Sequence, residues 1–204
     1  GIPVVQAPSE GEAEAAYLVR HKSEIYAAVS QDYDSLLFGA SMLIRNLTIS
    51  QRKKTYSGYI EVNPEVIDLQ DVLNKLEINL DQLICLGILV GTDYNPRGIP
   101  GIGQKKALGI VQKFKTPVGI FKEFEEKINN LPEEDKFDWQ EIFELFHKPN
   151  VKNADFIFRE VNEEKIKEIL VKEHDFSDER IEKQLERLRE SKEKSKQKNL
   201  EKWF

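Results

Sequence analysis

Apolar residues recur at helical spacing near the start of the chain. Ala13, Ala16, Tyr17 and Val19 mark one face of a segment that opens on Pro8-Ser9-Glu10-Gly11-Glu12, and the spacing predicts a helix to about Lys22. The short apolar run 25–29 then predicts a buried strand, with Gln31-Asp32-Tyr33-Asp34 at its C-terminal end. Segments 43–49 and 58–62 read as further strands, with Arg52-Lys53-Lys54 as a basic turn between them. Asn63-Pro64 predicts a helix start, running to about Leu76. From 80 to 90 the chain is apolar on every face, which predicts a buried helix that runs into Gly91-Thr92-Asp93. A glycine-punctuated turn follows at 98–103, then a helix from about Gln104 to Phe114. The remainder to Arg189 reads as mostly helical, with caps at Asn162 and Ser177. Strands early and helices late predict an α/β core with a helical extension.

Composition narrows the class. Of 204 residues, 40% are hydrophobic, enough for a core, and no apolar run approaches the roughly 20 residues of a membrane span. No signal peptide is visible, so Asn46-Leu47-Thr48 reads as an accidental glycosylation sequon. The single Cys85 lies in the apolar helix and reads as core, and one Cys excludes an internal disulfide framework. His21, His147 and His174 are too scattered for a zinc pattern. The only Met is Met42, so the sequence reads as a fragment or a processed chain. Thirty basic against 36 acidic residues give −6, unusual for a nucleic-acid binder. The distribution says more than the sum: 98–115 holds Lys105, Lys106, Lys113 and Lys115 without an acid, while acids dominate 116–146. High Lys and Glu with little Cys and Met also hints at a thermophile.

Two patterns carry chemistry. Glu10, Glu12, Asp32, Asp34 and Asp93 all fall at element ends, where α/β proteins gather ligand sites. Clustered carboxylates raise one another's pKa unless cations neutralise them, and hard divalent ions with oxygen ligands do so. Ser9 to Glu12 equally fits a capping box, and Asp32 and Asp34 fit turn positions. Glu14 reads as a solvated helical residue. Leu36 and Leu37 exclude a calcium loop at 32–34. The second pattern is the turn 98–103. Gln104 stands where a nucleotide-binding loop needs Lys, and Lys106 replaces the third Gly of a dinucleotide fingerprint. A helix-hairpin-helix fits instead: glycines such as Gly101 and Gly103 admit a phosphate, helix amides face it, and Lys105 and Lys106 add charge. An ordinary glycine-rich helical turn is the plainer alternative.

Together these residues resemble the flap endonuclease family of structure-specific 5′-nucleases. The resemblance rests on Gly1-Ile2-Pro3 with Ala7-Pro8-Ser9-Glu10-Gly11-Glu12-Ala13, on Asp32-Tyr33-Asp34, on Leu89-Val90-Gly91-Thr92-Asp93-Tyr94, and on Arg97-Gly98-Ile99-Pro100-Gly101-Ile102-Gly103. The chain also ends in a pattern similar to a sliding-clamp interaction box: Gln197, Leu200, Trp203 and Phe204 after the polar tract 189–196. That aromatic pair folding back onto the chain's own core is the alternative. The resemblance implies an α/β, PIN-like nuclease core over 1–115 with its helix-hairpin-helix at about 90–115. A helical extension over 116–189 and a flexible tether with the clamp box over 190–204 would follow. It implies that Glu10, Glu12, Asp32, Asp34 and Asp93 bind two Mg²⁺, with Mn²⁺ as substitute, and that K⁺ assists at the glycine turn. It implies cleavage of 5′ flaps and 5′–3′ exonuclease activity in DNA replication and repair. The implied partners are branched or duplex DNA and a clamp of the proliferating cell nuclear antigen type, with no membrane. The implied setting is intracellular: at the nucleoid for an archaeal member, nuclear for a eukaryotic one. The absence of a basic tail after the box resembles the archaeal members. Family members carry further metal-binding aspartates and a basic arch that would lie upstream of Gly1, so the chain alone is expected to cut weakly or not at all. A non-catalytic DNA-junction module, or a clamp-binding protein whose acids are only structural, would keep the turn and the box without the chemistry.

Overall fold

The computed structural model describes residues 1–47, 52–56 and 58–200, with backbone alone at 52–55 and 195–200. The chain divides into a larger unit, Gln6–Ala154, and a smaller one that joins Gly1–Val5 to the chain from Asp155 onward.

The larger unit is organised by α4 (Leu80–Val90), the helix apolar on every face. Its Ile84, Cys85, Ile88 and Leu89 are fully buried. A reciprocal cap starts it: Asn79 accepts from the Gln82 amide and Gln82 accepts from the Asn79 amide, both at 2.9 Å. Gln82 then donates to the Val111 carbonyl at 2.6 Å, pinning α5 (Gln104–Phe114) beside α4. α2 (Asp34–Leu37), α6 (Pro117–Lys122) and α8 (Trp139–His147) complete the cover, with Phe121 and Phe146 the largest fully buried side chains. α7 (Glu125–Asn129) and a 3₁₀ turn at Glu133–Asp135 connect α6 to α8. Burial of the Cys85 thiol among these helices pushes its pKa up to about 12, as a core residue requires.

α1 (Gly11–His21) and a small mixed sheet form the other side of the unit. β1 (Ala28–Val29) runs parallel to β2 (Met42–Arg45), pairing Ala28 with Leu43 and Val29 with Ile44. β2 runs antiparallel to β5 (Glu65–Asp68), from Met42 opposite Asp68 to Arg45 opposite Glu65. β3 (Arg52–Thr55) and β4 (Gly58–Glu61) form a separate antiparallel hairpin.

Several expectations change. Arg52-Lys53-Lys54 lies in a strand rather than a turn, because β4 offers it a complete ladder. The helix expected from Pro64 starts only at Leu69: Val66 and Ile67 fill the open edge of β2, and Asp68, not Asn63, caps α3 (Leu69–Leu76) by accepting from the Asp71 amide at 2.9 Å. Residues 148–162 carry no helix. Pro149 cannot continue α8, and within the smaller unit the Arg159 amide donates to the Gly1 carbonyl at 3.0 Å.

The smaller unit is otherwise helical. Asn162 caps α9 (Glu163–Lys167) by accepting from the Lys165 amide at 2.9 Å. A π-helical turn follows at Glu168–Glu173, then α10 (Asp178–Leu200). Ser177 supplies the first carbonyl of α10, which accepts from the Ile181 amide at 3.1 Å. The polar tract 189–196, expected as a tether, is helical as part of α10, aided by pairs such as Lys194 with Glu190 one turn apart. No helix among the described residues is long and apolar enough to cross a membrane.

Candidate active site

The N-terminus of α1 presents Glu10 and Glu12. Glu10 is the N-cap residue, yet its side chain makes no cap bond. The Ser9–Glu12 capping box does not form. Glu12 instead accepts a hydrogen bond from the Ser30 hydroxyl, beyond β1. Glu10 Oε1 accepts from the Tyr94 hydroxyl at 2.6 Å. Glu14, expected in solvent, is 3% exposed. Its Oε2 accepts from the Lys152 amide at 3.0 Å, while Oε1 has no hydrogen-bond partner among the described residues. Glu14 therefore ties the segment after α8 to α1.

Asp32 and Asp34 stand on the link from β1 to α2. The Asp32 amide donates to Ser30 Oγ at 3.1 Å, and Asp34 opens α2. Arg45, at the end of β2, braces this link from outside. Its Nε donates to the Gln31 carbonyl at 2.9 Å, its guanidinium lies 4.1 Å over the Tyr33 ring and bonds the Tyr33 hydroxyl, and it pairs with Glu65 at 3.3 Å.

Asp93 follows α4 on a tightly knotted turn. Asn95, 5% exposed, is its centre: Oδ1 accepts from the Thr92 hydroxyl at 2.7 Å and the Thr92 amide at 3.2 Å, and Nδ2 donates to the Ile88 carbonyl at 2.8 Å. Gly98 has φ +53, and a Cβ there would sit 2.4 Å from the Val90 carbonyl. Only glycine lets the chain return so closely across the end of α4.

These three segments bring the five acids into one electrostatic neighbourhood. Burial, then Glu12, Asp93, Asp32 and Glu10 in that order, push the Asp34 pKa up to about 6. Burial and the Glu10 hydrogen bond push the Tyr94 phenol up as well. Asp32, Asp34 and Asp93 line a cleft of about 630 Å³ whose apolar wall includes Leu37, Leu83, Leu86 and Val90. Lys105, from the first turn of α5, lines it too. No three His, Cys, Asp or Glu side chains among the described residues converge closely enough to hold one ion by themselves. The donor set still fits a hard divalent cation such as Mg²⁺. That ion takes one or two carboxylates and completes its shell with water and substrate phosphate. The four carboxylates whose charge raises Asp34 supply the negative charge such an ion offsets.

The glycine turn opens a second hollow, lined by Arg97, Gly101, Gly103, Lys105 and Lys106. Gly103 is the N-cap of α5 with no side-chain cap, so the first amides of the helix point outward. A Cβ on Gly101 or Gly103 would meet open space, so packing within the chain does not demand the Gly103 glycine; Gly101 has φ +79 and needs glycine for its backbone. Lys106 is exposed, and its Nζ donates to the Gly101 carbonyl at 3.0 Å. Arg97 pairs with Asp135 at 2.5 Å. Sequence reasoning missed Tyr94, Ser30 and Arg45; only Tyr94 left a signal, by standing next to Asp93 within one motif. Gln197 and Leu200 fall in α10 with side chains not described, and Trp203 and Phe204 lie outside the described residues.

Known proteins resemble this arrangement. The XPG I-region matches residues 1–93. Flap endonuclease 1 of Thermococcus onnurineus is 50% identical over 207 residues, covering 100% of this chain, and that of Pyrococcus furiosus is 48% identical, also over 100%. The chain spans 58% of the length of each of these relatives. Among solved structures, flap endonuclease-1 from Methanococcus jannaschii superposes with TM-score 0.73 at 37% identity, over 92% of this chain and 53% of that one. The catalytic core of Rad2 in complex with DNA substrate superposes with TM-score 0.69 over 90% of this chain and 63% of its own, at 20% identity, a likeness of fold. The sheet and its helices are thus an α/β, PIN-like nuclease core. Along its whole length the chain is thus similar to archaeal flap endonucleases, and over residues 1–93 to the XPG I-region.

Proposed function

We propose that this chain is part of a metal-dependent nuclease that cuts 5′ flaps at branched DNA, with 5′–3′ exonuclease activity beside it, in replication and repair. The observation that carries the reading is the electrostatic neighbourhood that Glu10, Glu12, Asp32 and Asp93 share with Asp34, whose pKa they and burial raise to about 6. A purely structural or junction-binding role gives no reason to gather five carboxylates at the cost of mutual repulsion.

Those five residues would hold two Mg²⁺ ions, or Mn²⁺ in their place, which when bound supply Lewis-acid activation of water and stabilisation of the leaving oxygen. The chain's own residues do the rest. The carboxylates bind and orient; Arg45 and the Asn95 knot keep their loops in place. The leucines and Val90 of the cleft exclude bulk water beside them. Lys105 borders both the acid cleft and the glycine hollow, so a phosphate backbone gripped at the α5 amides would lead toward the acids. Lys106 braces the turn for that contact. The Gly101 carbonyl accepts from Lys106 and keeps a second lone pair, so the turn would also hold a K⁺ that assists the phosphate contact. Gln197, Leu200, Trp203 and Phe204 would dock on a sliding clamp of the proliferating cell nuclear antigen type, raising the local concentration of nuclease at the junction. Such an enzyme works inside the cell, on chromosomal DNA.

The test uses the full-length nuclease on a 5′-flap substrate. Chelation should stop cleavage and Mg²⁺ restore it. Asp32→Ala or Asp93→Ala should abolish cleavage while DNA binding survives. Lys105→Ala should weaken binding to any duplex and flatten the salt slope by roughly one unit. Removal of 197–204 should abolish only the stimulation by clamp. Normal Mg²⁺-dependent turnover by both Asp variants would end the metal reading, and an unchanged salt slope would leave the glycine turn a structural element.

A further inference from the structure

Tyr94 follows Asp93 directly, but its hydroxyl serves a different segment. It donates to Glu10 Oε1 at 2.6 Å, across 84 positions of sequence. The phenol is well held. The Tyr94 amide donates to Thr92 Oγ1 at 3.3 Å, and Thr92 is itself bonded to buried Asn95. The ring meets Phe146 edge-on, with centroids 5.5 Å apart and planes at 80°. Phe146, on α8, is 2% exposed. The hydroxyl is thus delivered to Glu10 by a rigid ring on a rigid turn. Glu10 needs such a partner, because the N-cap position gives its side chain no bond of its own.

A carboxylate that accepts one short O–H···O bond loses much of its torsional freedom and keeps its other lone pairs for a cation. Groups that bond metal ligands from behind act in this way, and their removal commonly weakens metal affinity 10- to 100-fold. We propose that Tyr94 is a positioning residue: its hydroxyl orients the Glu10 carboxylate for a divalent cation and couples the α4 turn that carries Asp93 to the start of α1. This rests on the reading of Glu10 as a metal ligand. Because the ring is anchored on Phe146 from α8, the orientation of Glu10 also depends on a helix distant from it in sequence.

The experiment measures Mn²⁺ binding by calorimetry to the full-length nuclease and to its Tyr94→Phe, Glu10→Gln and double variants. Melting is followed in chelator. Phe keeps the ring on Phe146, so Tyr94→Phe should melt like wild type without metal yet bind Mn²⁺ ~10-fold more weakly. In the Glu10→Gln background the same change should cost nothing further, since the hydroxyl acts through that carboxylate. Unchanged affinity in Tyr94→Phe, or equal losses in both backgrounds, would overturn the inference while leaving Glu10 a ligand. A Glu10→Gln variant that binds Mn²⁺ as wild type does would overturn the metal reading and this inference together.

Discussion

The acid cleft of the larger unit and the α9–α10 region of the smaller one are built from the same charged residue types and use them in opposite ways. Around α10 the charges are paired. Lys167 bonds Glu182 and lies 3.9 Å from Asp178, Arg189 spans Glu163 and Glu182, Lys192 meets Glu160, and Lys165 meets Glu168 at 2.7 Å. Arg189 holds the Glu163 carboxyl below its ordinary range, Lys167 does the same for Glu182, and Glu182 raises Lys167 in return. At the acid site Glu10 and Glu12 bond hydroxyls rather than cations, and Asp34 moves up instead of down. Paired charge is what a surface needs to stay folded and soluble. Uncompensated like charge, partly buried, disfavours the folded state, so its presence points to a ligand that neutralises it.

The sharpest way to break this contrast is to neutralise one carboxylate in each region of the full-length enzyme. Asp34→Asn should lower flap cleavage by on the order of 10²–10³, the loss typical of a missing transition-state stabiliser. Glu182→Gln should leave the rate within a factor of two. Single-turnover cleavage decides it, and equal effects of the two variants would erase the distinction.

The second effect is smaller and of opposite sign. The folded-state pKa of Asp34, about 6, lies above its ordinary 3.8. Folding therefore favours the protonated form. The stability this contributes is complete below 3.8 and is lost as pH rises through 6. In chelator near pH 7.5, Asp34→Asn should stabilise the protein by ~1 kcal/mol, a figure reduced for solvent screening because the side chain is partly exposed. At pH 4 the gain should vanish, and saturating Mg²⁺ should reverse it. Urea denaturation with and without chelator measures each arm. A variant less stable than wild type in chelator would mean that the cleft is held together by Asp34 rather than strained by it.

How much of this could be read beforehand follows from the range of the interactions. The limits of α4 and α5 are written locally, in an all-apolar helix with Asn79 before it and a glycine turn after it. The five acids were visible because each sits beside a break in the pattern. The strand at 65–68 was hidden, because Pro64 followed by amphipathic residues satisfies the local rules of a helix start; only the open edge of β2, some 20 positions earlier, decides otherwise. Glu14 looked solvated for the same reason, since its partner is the amide of Lys152. Spacing likewise said nothing of the bond that Lys106 makes to the Gly101 carbonyl. The hydroxyls on Glu10 and Glu12 come from 84 and 18 positions away, distances at which spacing carries no signal. Residue types named the chemistry; contacts between distant segments determined which residues orient it.

The smallest effect should come from dismantling the paired region. Arg189→Ala removes the bonds to both Glu163 and Glu182. These side chains are exposed, so water and salt replace most of what each pair supplies, and holding long side chains in one geometry consumes much of the remainder. Melting of Arg189→Ala should fall within ~2 °C of wild type. The gap should close in 1 M salt, where the screening length is only ~3 Å. Cleavage should not change. The helix itself has support that does not depend on Arg189, since Ile181 and Leu185 are buried along α10. Circular dichroism at low and high salt makes the comparison. A drop of ten degrees, persisting in high salt, would show that Arg189 acts through packing of its stem rather than through charge. The contrast between a paired, dispensable surface and an unpaired, working one would then have to be drawn without it.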